Sequence, residues 1–253
     1  MGGGQSVVDT TRLNFCFLSG LPRTGSTVLS AILSQNPLLH AGQASPVCQL
    51  MWDAQVSCET TANELLAASR RLDFQQEYIS AIPHLFYAGT TATTVVDKHR
   101  SWTLPGNMAM IRRYITDTPR VIVMTRPLDE ITASFIDIYR NNGRSITEAE
   151  LLVDHSEPIM RAHDGVEWAK LTNEGEFLFV EYGQFMEYPE DTMDAIYQFC
   201  GLEPFNHTFD NIVCLHPETD SSYGLDGLHA VRPQLGYRQP AAVGAARYPG
   251  PGI

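Results

Sequence analysis

Four short apolar runs, each of strand length, punctuate the chain at 13–19, 93–97, 120–125 and 176–181. Runs such as Val-Ile-Val-Met within 120–125 are apolar on both faces, which predicts strands of a buried, mostly parallel sheet. Between them the apolar positions recur at helical spacing. Val28, Leu29, Ile32 and Leu33 mark a helix over 27–35, stopped by Asn36-Pro37. Residues 46–88 read as mostly helical with a polar break at 58–63, and 105–116 as a helix ending in Arg112-Arg113. Pro127 at a first helical position, with Asp129 and Glu130 in the first turn, starts a helix reaching about Arg140. Helical spacing returns over 146–172 and 189–200, the latter ending on Gly201 as a C-cap. From Pro204 the pattern is irregular, and after Pro240 it turns Ala/Gly/Pro-rich, which predicts a flexible tail over 241–253. Strands alternating with helices predict one three-layer α/β domain over 10–240, a mostly parallel sheet flanked by helices. Ligands in such folds sit at the carboxyl ends of the strands, which directs attention to Arg23, Asp97, Lys98, His99, Arg126 and Tyr182.

Charge narrows the function classes. Lys and Arg number 17 against 29 Asp and Glu, a formal net charge of −12 over 253 residues. Such a surface repels nucleic acid and anionic membranes, so neither is an expected partner. An anionic ligand would have to be held by local arginines and helix N-termini. No stretch approaches the roughly 20 apolar residues that cross a bilayer. The opening Met-Gly-Gly-Gly-Gln-Ser has neither the basic start nor the apolar core of a signal peptide. It fits the Met-Gly-x-x-x-Ser acylation pattern through Gly2 and Ser6 but has no supporting polybasic patch, and reads as a leader. The five cysteines, Cys16, Cys48, Cys58, Cys200 and Cys214, show no CxxC pairing. They point to a reducing compartment, hence the cytoplasm, and away from a zinc site.

The turn after the first strand carries the sharpest chemistry. Gly20-Leu21-Pro22-Arg23-Thr24-Gly25-Ser26-Thr27 retains the Gly-x4-Gly of a P-loop and opens the first helix, so its N–H groups can cradle a phosphate. The domain is P-loop-like in that sense. The P-loop lysine is missing, because Ser26 directly follows Gly25; Arg23 supplies a cation instead. A nucleoside triphosphatase needs that lysine on the β- and γ-phosphates, so the loop suits one phosphate and a neighbouring anionic group. Further on, Arg126 at a strand end and Ser134 eight residues later on the next helix can converge on a second phosphate.

Phe17-Leu18-Ser19-Gly20-Leu21-Pro22-Arg23-Thr24-Gly25-Ser26-Thr27 resembles the 5′-phosphosulfate loop of sulfotransferases that use 3′-phosphoadenosine 5′-phosphosulfate (PAPS). It is most similar to the form found in tyrosylprotein sulfotransferases and related bacterial enzymes. The Arg126-x7-Ser134 spacing resembles the family's 3′-phosphate element, and Val96-Asp97-Lys98 its strand ending in a catalytic lysine. Tyr182 corresponds to a nucleotide-contacting tyrosine, and 227–233, with Arg232 as a phosphate ligand, to a nucleotide-covering loop. The resemblance implies PAPS as donor, its product 3′-phosphoadenosine 5′-phosphate (PAP), and no metal. Arg23, Thr24, Gly25, Ser26, Thr27, Arg126, Ser134, Tyr182 and Arg232 would bind the nucleotide, with Arg23, Lys98 and His99 catalytic.

The base is where the sequence departs from that pattern. Tyrosylprotein enzymes carry a glutamate after the first helix, and here the segment reads Gly42-Gln43-Ala44. Cytosolic members use a histidine shortly after the lysine; His99 follows Lys98 directly, and in a continuing strand it would face the other way. His99 is the first candidate and His229 the reserve. The acidic surface favours a small alcohol, phenol or sugar over an acidic peptide as acceptor. Two rival readings remain open at this stage. One is a P-loop kinase with Asp97 on a magnesium ion, and the other a catalytically inactive nucleotide-binding module.

Overall fold

The computed structural model describes residues 13–153, 159–172, 175–231 and 234–235. Five strands, β1 (Asn14–Gly20), β2 (Leu39–Ala44), β3 (Thr94–Lys98), β4 (Val121–Thr125) and β5 (Phe177–Glu181), form one sheet in the order β2-β3-β1-β4-β5. Every pairing is parallel. The chain enters at the central strand, goes out to the β2 edge, returns through β3 and crosses to β4 and β5. The carboxyl end of β1 therefore lies between connections that leave in opposite directions, the usual place for a ligand in an open α/β sheet.

Strand alternation builds the two outer layers. Phe17, Val95, Val121 and Val123 point to one face, where Met51, Ile79, Trp102, Met108, Ile111, Ile131 and Phe135 cover them. Cys16, Leu18, Val96, Ile122 and Met124 point to the other and meet Leu29, Ile32, Leu33, Phe185, Met193 and Ile196. The first face is built from α2 (Val47–Glu59), α4 (Phe74–Phe86), α5 (Pro105–Tyr114), α6 (Leu128–Asn141) and α8 (Met160–Thr172), with the short α3 (Asn63–Ala68) and α7 (Glu148–Leu151) beside them. The second is built from α1 (Ser26–Leu33), α9 (Tyr182–Glu187) and α10 (Pro189–Cys200).

The four expected strands and the helices after Pro127 and Pro189 are where the periodicity put them. The sheet has one strand more than expected. β2 is an edge strand with a break in register between Ala41 and Ala44, and its Leu-His-Ala-Gly-Gln-Ala carries no apolar run to announce it. The stretch 146–172 is not one helix, since α7 ends at Leu151 and α8 begins at Met160. Arg232 and the tail at 241–253 lie outside the described residues.

Candidate functional site

Gly20 ends β1 with φ of 113°, and a Cβ there would stand 2.1 Å from the Met124 carbonyl oxygen. Only glycine lets β1 run this close to β4 and then turn. Leu21 N–H closes the turn on that same carbonyl at 3.0 Å, and the buried Thr24 hydroxyl donates to the Leu21 carbonyl at 2.7 Å. Arg23 sits at φ 60° in the left-handed region and Gly25 at φ 80°. The loop thus delivers the chain to α1 with Gly25 as N-cap and no side-chain cap on the first-turn N–H groups. Those groups, with the helix dipole behind them, face a cavity of about 800 Å³ lined by the loop, Lys98, Arg126, Ser134 and Tyr182.

Around that cavity the sequence-predicted groups converge in two sets. Arg126 Nη1 donates to the Arg23 carbonyl at 2.9 Å, and Arg23 Nε donates to the Ser134 hydroxyl at 3.1 Å. Arg126 also lies 4.3 Å over the Tyr182 ring and pairs with Glu130 at 2.9 Å. Tyr182 in turn sits against Gly25, where a Cβ would meet its ring at 3.1 Å. Burial and the neighbouring Arg126 both lower the Arg23 pKa from its ordinary value, while Tyr182 and Asp220 oppose them. Arg23 Nη1 donates to the Leu228 carbonyl, so its guanidinium is held between Ser134 and Leu228.

Lys98 forms the second set. It ends β3 on the α1 face, with Nζ 3.4 Å from the Thr27 hydroxyl and 2.9 Å from Oε1 of Glu218. Glu218 was not foreseen from the sequence. It accepts the Ala44 N–H at 3.2 Å and the Tyr223 hydroxyl at 3.1 Å, and lies 3.3 Å from His229 Nε2. His229 Nδ1 is 2.7 Å from Asp220. The run Glu218, Asp220 and His229 sits in the irregular stretch after α10. The available signal was a cluster of titratable residues within a long loop of an otherwise regular domain.

The structure sends His99 elsewhere. Its backbone stays extended, at φ −153° and ψ 130°, so the side chain alternates to the face opposite Lys98. There Nδ1 accepts the Ser101 N–H at 3.2 Å, and the ring lines a second cavity of about 580 Å³ with Cys48, Trp52, Asn107 and Arg161, which adjoins the first at Arg100. Burial, with Arg100 and Arg161 nearby, lowers its pKa to about 4. Asp97 shares that face. It is buried and accepts from Ser45, Tyr87 and Trp102 at 2.6–2.7 Å. A kinase would need this carboxylate at the phosphate loop; it is spent holding the 3-10 turn Arg100–Thr103 and α4 to the sheet.

The sulfotransferase family model matches residues 16–207, taking in the loop, Lys98, Arg126, Ser134 and Tyr182 but ending before Glu218 and His229. Among solved structures the chain is similar to the sulfotransferase domain of the Synechococcus PCC 7002 olefin synthase, at 17% identity over 76% of this chain and 75% of that one, TM-score 0.52. It is also similar to the sulfotransferase from Alicyclobacillus acidocaldarius, at 15% identity over 78% and 84%, TM-score 0.51. A third likeness is to the sulfotransferase domain of the curacin biosynthetic pathway, at 13% over 77% and 75%, TM-score 0.50. At these identities the likeness is one of fold. A search of curated protein sequences returns no match. With a match to the family model over most of its length, the chain belongs to the sulfotransferase family.

Proposed function

We propose that the protein transfers a sulfuryl group from PAPS to the hydroxyl of a small alcohol, phenol or sugar. One observation carries the reading: a single cavity at the carboxyl ends of β1, β3 and β4 gathers the uncapped start of α1, Lys98, and the Arg126, Ser134 and Tyr182 group. The residues fit such a donor. The first-turn N–H groups of α1 with Lys98 suit the 5′-phosphosulfate, and the Arg126 guanidinium with the Ser134 hydroxyl suits the 3′-phosphate. The Tyr182 ring offers a flat apolar face to the adenosine. When bound, the donor supplies an activated sulfuryl group with a 5′-phosphate as leaving group.

Sulfuryl transfer, like phosphoryl transfer, is catalysed mainly by positioning and by cations aimed at developing charge. Lys98 serves the leaving oxygen, where charge grows as the bond breaks. Arg23, turned toward Ser134, serves by fixing the loop against the 3′-phosphate site. His99 lines the other cavity, which leaves the groups on the Lys98 side as candidates for the base, His229 among them. The net charge of −12 favours an uncharged acceptor over an acidic peptide.

Thermal melts with added nucleotide test the reading, because a ligand specific to the native state raises the melting temperature with its concentration. PAP is expected to stabilise the protein in the presence of EDTA, and AMP or ATP with magnesium far less. Equal shifts with AMP and PAP would overturn it.

A further inference from the structure

We propose that Glu218 is the proton acceptor for the incoming hydroxyl, paired with Lys98 until an anionic nucleotide draws the lysine away. The proposal rests on the PAPS reading above and deepens it. The Glu218 carboxylate lies 2.9 Å from Lys98 Nζ, nearer than the Thr27 hydroxyl at 3.4 Å, and the Glu218 side chain is only 5% exposed. The end of β2 has no carboxylate of its own, and Ala44 N–H donates to this one, which lies 174 residues further along the chain. His229 is one step removed from Lys98, with both ring nitrogens within 3.3 Å of carboxylates.

The exchange follows from the balance of charges around Glu218. From β2 it faces the Ala44 N–H, from β3 Lys98, from the 3-10 turn Asp220–Tyr223 the Tyr223 hydroxyl, and from the following loop His229, which Asp220 holds. Burial pushes the Glu218 carboxyl up, but Lys98 and then His229 and Ala44 pull it below its ordinary value. Taking Lys98 away removes the largest pull and leaves burial in place, so the carboxylate becomes the stronger base as the nucleotide site fills. The hydroxyl then gives its proton to a Glu218 oxygen while its own oxygen bonds to sulfur. The bond from sulfur to the 5′-phosphate oxygen breaks with its electron pair on that oxygen, beside Lys98. His229, 21% exposed and bonded to Asp220, passes the proton from Glu218 to water.

Calorimetric titration with PAP and transfer from PAPS to a series of substituted phenols test this together. Glu218→Gln is expected to bind PAP several-fold tighter, since Lys98 no longer has a competing anion, yet to turn over about 100-fold or more slowly with phenols of high pKa. In a Lys98→Met background the same substitution should leave PAP affinity unchanged, which isolates the pair. A role confined to packing would weaken binding and turnover alike. PAP affinity that does not rise, or turnover within about threefold of the parent, would overturn the proposal. Should Glu218→Gln not fold, Glu218→Asp keeps the charge and withdraws it by one methylene. It should then show the same slowing, and parental turnover there would equally overturn the proposal. Failure of the unsubstituted protein to bind PAP would instead remove the PAPS reading itself.

Discussion

Lys98→Ala and Arg126→Ala should fail in different ways, because one residue meets charge that grows during reaction and the other meets charge already present. Lys98→Ala is expected to lower turnover by two orders of magnitude or more, about 3 kcal/mol, and to weaken PAP binding only several-fold, since the product already carries the 5′-phosphate charge that Lys98 meets. Arg126→Ala should weaken PAP binding by about 2 kcal/mol, some 30-fold, and show itself chiefly in the PAPS Michaelis constant. Calorimetry beside steady-state kinetics separates the two. His99 gives a stability prediction rather than a catalytic one. Its pKa is lowered by burial, so the folded state prefers the neutral ring, while the unfolded chain takes up a proton near pH 6.5. That contribution is whole above pH 6.5, fades as pH falls, and is lost by about pH 4. His99→Gln should flatten the melting temperature between those limits and leave the pH dependence of transfer in place. At this scale the sequence did announce that Arg126 and Ser134 would line one cavity, because they belong to a spaced strand-end and helix motif. It was unreadable for Glu218, whose partners come from β2, β3 and a later loop and share no spacing with it.

At the scale of elements the phosphate loop depends on one missing side chain. Gly20→Ala would place a Cβ 2.1 Å from the Met124 carbonyl oxygen in a conformation with φ 113°. β1 would have to part from β4 or the turn rearrange, at a cost on the order of 3 kcal/mol or more. Chemical denaturation should show it, and nucleotide binding should weaken too, since the start of α1 is set by the same turn. The strands β1, β3 and β4 were legible because their central residues are apolar and buried on both faces, and the edge strand β5 because its Phe-Leu-Phe-Val run is apolar although Phe179 is exposed. β2 was not, because an edge strand with a register break and a glycine needs no such run. His99 shows the same physics at its most local. Continuing the extended backbone by one residue past Lys98 reverses the side chain, and the adjacent histidine serves the opposite layer.

Across the whole molecule, an acidic chain places three cations that line one cavity at one end of one sheet. Arg23, Lys98 and Arg126 belong to three adjacent parallel strands and the loops that leave them, so folding the sheet is enough to bring them together. That convergence could be read from order along the chain, since parallel strands end on one side. The pairing of Lys98 with Glu218 spans 120 residues and is set by a stretch with little regular structure, which no periodicity reports. The same separation ties two distant stretches of the chain into one cavity. The loop after β1 leans on the Leu228 carbonyl through Arg23, and Lys98 at the end of β3 leans on Glu218. A change anywhere between 216 and 229 is therefore felt by the cations of the sheet, so the two stretches are bound to vary together.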